Sequence, residues 1–309
     1  CREPETFLNG LFCRARMAEL DDWITAGRIA AQALDYGGTL IKPGVKIVDV
    51  CDKVDAKIRE LGGEPAFPTQ VSCDHIAAHF CPDADDATVF DKQVASLDVG
   101  VHVNGAIGDN ALTIDLSGKH ADLLKASREA VDAALKIVQI GTTLSEIGTT
   151  IQEVIESHGF VPIRNLSGHG LERYGIHTGP TIPNIDTGDP TPLEDGMFIA
   201  IEPFASTGSG SVQDSGDATI FSLVNPKGVR SQFARDVMKE IEQYKTLPFT
   251  TRWITQKLGK GKTLFGLREL MQAGVLEGYP PLVDSKRGIT SQAEHSVFVC
   301  DKPIVLTRL

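Results

Sequence analysis

No apolar run in this 309-residue chain approaches the length of a membrane span, and its first part lacks the succession of regions that marks a secretory signal. Basic charge is scarce. Lys and Arg number 30 against 41 Asp and Glu, for a formal charge of −11 and a pI near 5.2. With no basic face in view, nucleic acid is excluded as the main partner, and the mixed signs show no acidic tail. The six cysteines (Cys1, Cys13, Cys51, Cys73, Cys81, Cys300) form no CxxC and no framework spacing, so a disulfide scaffold is excluded and a reducing cytoplasm is expected. What remains is a chain able to bury a large core as one large domain or two smaller ones. It opens on Cys1, and its first methionine is Met17, directly before AELDDWITAGRIAAQAL, an amphipathic helix in pattern. Residues 1–16 show no clear period and are read as an upstream extension.

The most informative stretch is LDVGVHVNGAIGDNALT, with Asp98 and Asp109 eleven positions apart. Asn104-Gly105 between alternating apolar residues signals a two-residue type I′ hairpin. That turn pairs Val103 with Ala106 and Gly100 with Asp109, and places Asp98 and Asp109 diagonally on one face. Ala95, Leu97, Val99, Val101 and Val103 form an apolar stripe on the other face. Gly100, without a side chain, leaves room between the carboxylates. Two carboxylates converging on one face repel unless a cation sits there; the plainer alternative is an edge hairpin with its acids in solvent.

Shifting the chain by 97 positions reveals an internal echo. IKPGVKIVDVCDKVDAKIRELGG (41–63) lies over VQIGTTLSEIGTTIQEVIESHGF (138–160). Gly44, Ile47, Val50, Val54, Ile58 and Gly62 match Gly141, Leu144, Ile147, Ile151, Ile155 and Gly159. Both copies have helical spacing and end at a C-capping glycine. Each follows another helix, at 19–36 and 121–138, so two similar α/β halves related by a pseudo-twofold are expected. Strands are expected at 161–166, 181–184, 197–202, 218–224, 292–300 and 303–307. Residues 226–286 are helical in pattern and interrupt the second half, which makes them an insertion rather than a separate domain. The segment Gly259–Thr263 hints at a phosphate loop, but Gln256 stands where the first glycine is needed, leaving a solvated basic turn.

Four further motifs carry metal-type residues: His169 and His177 in NLSGHGLERYGIH, Glu202 in FIAIEPFA, Glu294 in SQAEHSVFV, and His79 in AFPTQVSCDHIAAHF. Each alone has a structural explanation, although Glu202, set among Phe198, Ile199, Ala200, Ile201 and Pro203, needs a cation or hydrogen-bond partners. His75, His102, His120, His158 and His295 are assigned structural roles.

Taken together, AFP, AAHF, LDVGVH, GD, NLSGHGLERYGIH, IPN, AIEPFA and AEH resemble the type II methionine aminopeptidases, the archaeal ones above all, from Met17 to Leu309. Cys81, where threonine is common, is a mild departure. The resemblance implies the pita-bread fold, an α/β duplication agreeing with the echo, with residues 17–225 and 287–309 as the catalytic domain and 226–286 as the helical insertion. It implies metal ligation by Asp98, Asp109, His169, Glu202 and Glu294, substrate contacts from His79 and His177, and a methionine pocket including Phe67 and Ile176. Four carboxylates and one imidazole suit a pair of Co, Mn, Fe or Zn ions sharing a hydroxide that attacks the methionyl carbonyl, with His79, His177 and Glu202 assisting. The implied substrates are N-terminal methionines of nascent proteins and peptides with a small second residue. A monomer is expected, with ribosome association through the insertion left open. Two rival readings are a prolidase or other Xaa-Pro peptidase of the same fold, which usually carries an extra N-terminal domain, and a catalytically silent pita-bread binding protein.

Overall fold

The structure, a computed structural model, describes the backbone of residues 5–309 and the side chains from Leu20 onward. The proposed extension at 1–16 lies, in its side chains, outside those residues. The first half comprises α1 (Glu5–Leu40), α2 (Ile47–Glu60), β1 (Glu64–Pro65), β2 (Gln70–Cys73), β3 (Ile76–Ala78), β4 (Val94–Val103) and β5 (Ala106–Asp115). The second comprises α3 (Ala121–Ile137), α4 (Leu144–Ser157), β6 (Val161–Pro162), β7 (Ser167–Glu172), β8 (Gly175–Pro183), β9 (Phe198–Ile201), β10 (Phe204–Ser206) and β11 (Val212–Asp214). Then come β12 (Ile220–Leu223), α5 (Gln232–Ile241), β13 (Phe249–Thr250), α6 (Thr251–Leu258), α7 (Lys260–Gln272) and β14 (Leu276–Tyr279). The chain closes with β15 (Leu282–Asp284), β16 (Thr290–Gln292), β17 (Glu294–Phe298) and β18 (Ile304–Val305).

The duplication is visible in the elements themselves. α2 and α4 have equal length and begin 97 positions apart, as do β1 and β6. Their ends are tied alike: Gly62 N donates to Arg59 O and Gly63 N to Ile58 O, as Gly159 N donates to Glu156 O and Phe160 N to Ile155 O. Only the starts differ. Thr143 and Glu146 make a capping box on α4, whereas Lys46 gives α2 no side-chain cap.

One nine-stranded sheet joins the halves in the order β1-β4-β5-β17-β9-β7-β8, with β2 also on β4 and β18 on β17. The hairpin register follows the turn, with Val103 opposite Ala106 and Gly100 opposite Asp109, and Asn104 and Gly105 have φ of 50° and 90°, as a type I′ turn requires. Ala95, Leu97, Val99 and Val101 face α1 and α2 through Ile29, Ala33, Val50, Val54 and Ile58, all buried. Ile182, Ile199, Ile201 and Val297 meet α3 and α4 through Ala130, Ala134, Ile147 and Ile151. Each fully buried aliphatic side chain contributes roughly 1.5–3 kcal/mol, so the helix layer fixes which sheet face is left for chemistry.

Several expected bounds shift. The helix expected at 19–36 belongs to the longer α1, and the strand expected at 181–184 begins at Gly175. Of 161–166 only Val161–Pro162 is strand. In the helical stretch, α5, α6 and α7 enclose their own core of Phe221, Val237, Ile241, Phe249, Trp253, Ile254, Leu267 and Leu270. Strands frame it: β12 pairs with both β13 and β14, while β15 returns to β11 and β3. The segment Gly259–Thr263 is a helix junction, α7 starting at Lys260 after Gly259 at φ 79°.

Candidate metal centre

The sheet face opposite the helices borders a cavity of about 280 Å³. Asp98 and Asp109 reach it from β4 and β5, His169 from β7, Glu202 from just beyond β9, and Glu294 from the start of β17. Both halves therefore contribute. The carboxylates of Asp109 and Glu294 and the His169 imidazole each offer a donor atom within 4.8 Å of the others. His169 Nε2 lies 3.8 Å from Asp109 Oδ2 and 3.6 Å from Glu202 Oε1, and its Nδ1 lies 3.1 Å from the Gly170 carbonyl. Donation to that carbonyl leaves the Nε2 lone pair facing the acids.

Burial dominates the electrostatics. It pushes the Asp98 carboxyl from 3.8 up to about 7, with a Gln292 side-chain hydrogen bond pulling partly back. Burial first, then the Asp98 charge, raises Asp109. Glu202 and Glu294 are raised by burial and by the neighbouring acids. His169 is driven down to about 3 by burial, with His177 adding to the effect, so it is a neutral imidazole. The buried Oδ1 atoms of Asp98 and Asp109 have no hydrogen-bond partner among the described residues. Such oxygens are costly to bury bare, and four acids with one neutral imidazole are the donor set a hard or borderline divalent ion accepts. The residues present fit a metal.

Local structure explains the placement. β17 meets β5 through Glu294 opposite Ala111 and His295 opposite Asn110. One position further, Ser296 Oγ accepts Asp109 N and donates to Asp109 O, each at 2.8 Å, so a hydroxyl takes over the ladder beside a ligand-type residue. The space at Gly100 is filled, which corrects the expectation of a gap between the acids. A Cβ there would lie 2.1 Å from Phe67 Cε1, so the glycine admits the Phe67 ring.

His79 and His177 also line the cavity. Both adopt left-handed backbone, φ 65° and 58°, uncommon for such residues and concentrated at functional sites. Burial lowers His79 to about 4, with His177 adding to the effect and the Pro280 carbonyl opposing it. His177 opens to solvent at the cavity mouth yet has protein around most of its ring, and that desolvation lowers it too. Its ring meets His169 edge-on, centroids 4.6 Å apart. Phe67 lines the cavity; Ile176 does not, and sits partly buried in the apolar cluster that holds Phe67. Of the histidines assigned structural roles, His158 Nε2 meets Glu129 at 2.8 Å and His295 Nδ1 meets Thr307 Oγ1 at 2.9 Å.

Sequence reasoning passed over Gln292, at the end of β16 just before β17, which donates to Glu202 Oε2 at 3.3 Å and also hydrogen-bonds Asp98. Gln70, whose Oε1 accepts His79 N at 2.9 Å, and Tyr279, edge-on to His79 at 5.9 Å, carry no sequence signal of their own.

A duplicated sheet with acids and imidazole from both halves on one face defines a metallopeptidase of the pita-bread class. Residues 23–232 match the model of metallopeptidase family M24, and the chain belongs to that family. It is 44% identical over 286 residues to the methionine aminopeptidase of Archaeoglobus fulgidus, covering 92% of this chain and 96% of that protein. To that of Methanocaldococcus jannaschii it is 41% identical over 286 residues, again 92% of this chain and 96% of the relative. Among solved structures, the methionine aminopeptidase of Thermotoga maritima matches with TM-score 0.68 at 24% identity, over 94% of this chain and 97% of that one. A thermophilic Arx1 matches with 0.81 at 18% over 93% and 90%, and the prolidase of Pyrococcus furiosus with 0.58 at 19% over 94% and 64%. At such identities the structures share a fold.

Proposed function

We propose that the chain is a type II methionine aminopeptidase, a metal-dependent hydrolase that removes N-terminal methionine from proteins and peptides whose second residue is small. One observation carries this reading: five ligand-type side chains from both halves line one cavity, with buried oxygens lacking partners. The 44% identity to a methionine aminopeptidase over nearly that protein's whole length supports methionine removal as the reaction.

In this reading Asp98, Asp109, His169, Glu202 and Glu294 would together hold two divalent ions. Bound there, Co, Mn, Fe or Zn would supply Lewis acidity and lower the pKa of water. The side chains do the rest. Glu202, raised by burial, carries a proton from the attacking water to the leaving amine. His79, neutral near pH 7, and His177 donate hydrogen bonds to the peptide and to the developing oxyanion. The free α-amino group binds beside Asp98, which restricts cleavage to one terminal residue. Phe67 supports the methionine side chain directly, with Ile176 behind it.

Residues 17–225 with 287–309 form the catalytic domain in this account and 226–286 the insertion. The insertion carries eleven Lys and Arg against six Asp and Glu in an acidic chain, which supports ribosome association; the proposal takes the protein as a monomer acting on nascent chains in the cytoplasm. No helix among the described residues is long and apolar enough to cross a membrane.

The test is hydrolysis of a Met-Ala-Ser peptide by metal-loaded wild type, His169→Ala and Glu294→Ala. Each variant should lose activity at least about 10³-fold, the scale of losing a transition-state stabiliser, while keeping its fold by circular dichroism. Full activity in either variant rules the assignment out.

A further inference from the structure

A guanidinium with no exposed surface is costly unless its donors are answered. Arg252, in the first turn of α6, has none exposed. Its Nη2 donates to Asp55 Oδ2 at 3.0 Å, and its Nη1 donates to Pro82 O at 3.0 Å and to Cys81 Sγ at 3.2 Å. Nε lies 2.7 Å from Asp52 Oδ1, a charge contact without hydrogen-bond alignment. Asp55, 2% exposed, is equally engaged. Oδ2 also takes Trp253 Nε1 at 2.9 Å, and Oδ1 takes Thr69 N and Oγ1 at 3.2 and 2.7 Å. One buried ion pair therefore joins α2, α6, the segment at Thr69 and the loop at 81–82.

Two of those connections lead to His79. Thr69 precedes Gln70, whose Oε1 accepts His79 N at 2.9 Å. Cys81 and Pro82 follow His79 by two and three positions. The same loop is held again: Thr219 Oγ1, just before β12, donates to Cys81 O at 2.6 Å, and from the insertion Thr251 Oγ1 bonds Asp83 and Lys260 pairs with Asp85 at 2.5 Å. His79 itself has φ 65°, a conformation that persists only where the surroundings over-determine it. Arg252 and Asp55 supply that constraint from both ends of the turn, and neither lines the cavity.

We propose that the buried Asp55–Arg252 pair, which ties the insertion to α2, positions His79 by fixing the turn at 79–82 so that its imidazole faces the substrate. The inference rests on the aminopeptidase reading, in which His79 contacts substrate. Arg252 and Asp55 are positioning residues acting through Pro82, Cys81, Thr69 and Gln70. Lysine at 252 keeps the charge but loses the fork that reaches Asp55 and Pro82 together.

The experiment compares wild type with Arg252→Lys and with the neutral pair Asp55→Asn/Arg252→Met, which strands no single buried charge. The first readout is the imidazole NMR spectrum of the metal-free full chain, with His79 assigned by its loss in His79→Asn. The second is kcat and KM on Met-Ala-Ser, alone and in the His79→Asn background. The His79 resonance should move or broaden, while that of His158, paired with Glu129 elsewhere, stays in place. kcat should fall about 10²-fold, the penalty for a small misplacement, with KM held within about threefold. In the His79→Asn background the same changes should cost less than about twofold, because coupled residues are not additive. An unmoved His79 resonance, or equal losses in both backgrounds, overturns the proposal. If Arg252→Lys does not fold, the neutral pair is read by the same two measurements. Wild type that releases no methionine with any metal would sink the aminopeptidase reading instead, and the His79 resonance would still decide for or against the clamp.

Discussion

Loading this site with a divalent ion should expel protons, and the number follows from burial. Asp98 has its pKa raised from 3.8 to about 7, desolvation being the main cause, so at pH 6 it is about nine-tenths protonated in the metal-free protein. Asp109, Glu202 and Glu294 are shifted the same way. His169, lowered to about 3, is already neutral and contributes no proton. A metal binds carboxylate and not carboxylic acid. Affinity must therefore be strongest above the raised pKa values and fall as pH drops through them. Each displaced proton costs about tenfold in apparent Kd per pH unit, about 1.4 kcal/mol. Asp98 alone, half protonated already at pH 7, then weakens binding about 50-fold between pH 7 and pH 5. Calorimetric titration of the metal-free protein with Mn²⁺ at pH 6, 7 and 8, in buffers of different ionisation enthalpy, counts the protons. About one or more should appear at pH 6 and fewer at pH 8, and Asp98→Asn should release one fewer. No release at pH 6 with a flat affinity from pH 6 to 8 would mean the acids are already ionised, and the burial argument would be refuted.

Two further substitutions probe how the ligand-type residues are held. Gly100→Ala drives a Cβ to 2.1 Å from the Phe67 ring; overpacking should cost about 1–3 kcal/mol in urea denaturation and raise KM for Met-Ala-Ser, and unchanged values would show that the ring yields freely. Ser296→Ala strips Asp109 of the hydroxyl that satisfies both its N–H and its C=O. A loss of about 1–3 kcal/mol for groups left unpaired, together with weaker metal binding, is expected by denaturation and titration; wild-type values for both would contradict the role given to Ser296.

Legibility in the sequence follows the range of the interaction concerned. The hairpin register depends on Asn104 and Gly105 alone, a local turn preference, and from it the facing of Asp98 and Asp109 follows. The duplication shows because α2 and α4 bury the same helical stripe at positions 97 apart. Motif resemblance brings His169, Glu202 and Glu294 into view, while their convergence depends on β17 lying between β5 and β9. That pairing is long-range: the Ser296–Asp109 bridge spans 187 positions, and no local pattern encodes it. Gln292, Tyr279 and Arg252 were hidden for the same reason, since each acts on a partner from a distant segment. Gly100 shows the opposite failure. Absence of a side chain reads as empty space in a strand diagram, whereas in the folded molecule the Phe67 ring occupies it.

The central claim, a metal-dependent methionine-removing site built from both halves, is tested most directly by offering one metal-free preparation two peptides. Met-Ala-Ser and an Xaa-Pro peptide would each be incubated with Co²⁺, Mn²⁺, Fe²⁺ or Zn²⁺ and the products read by mass spectrometry. Free methionine should appear from the first peptide only when metal is restored, with the second left intact. Methionine release in chelator, cleavage of the Xaa-Pro bond instead, or intact Met-Ala-Ser with all four ions would contradict it.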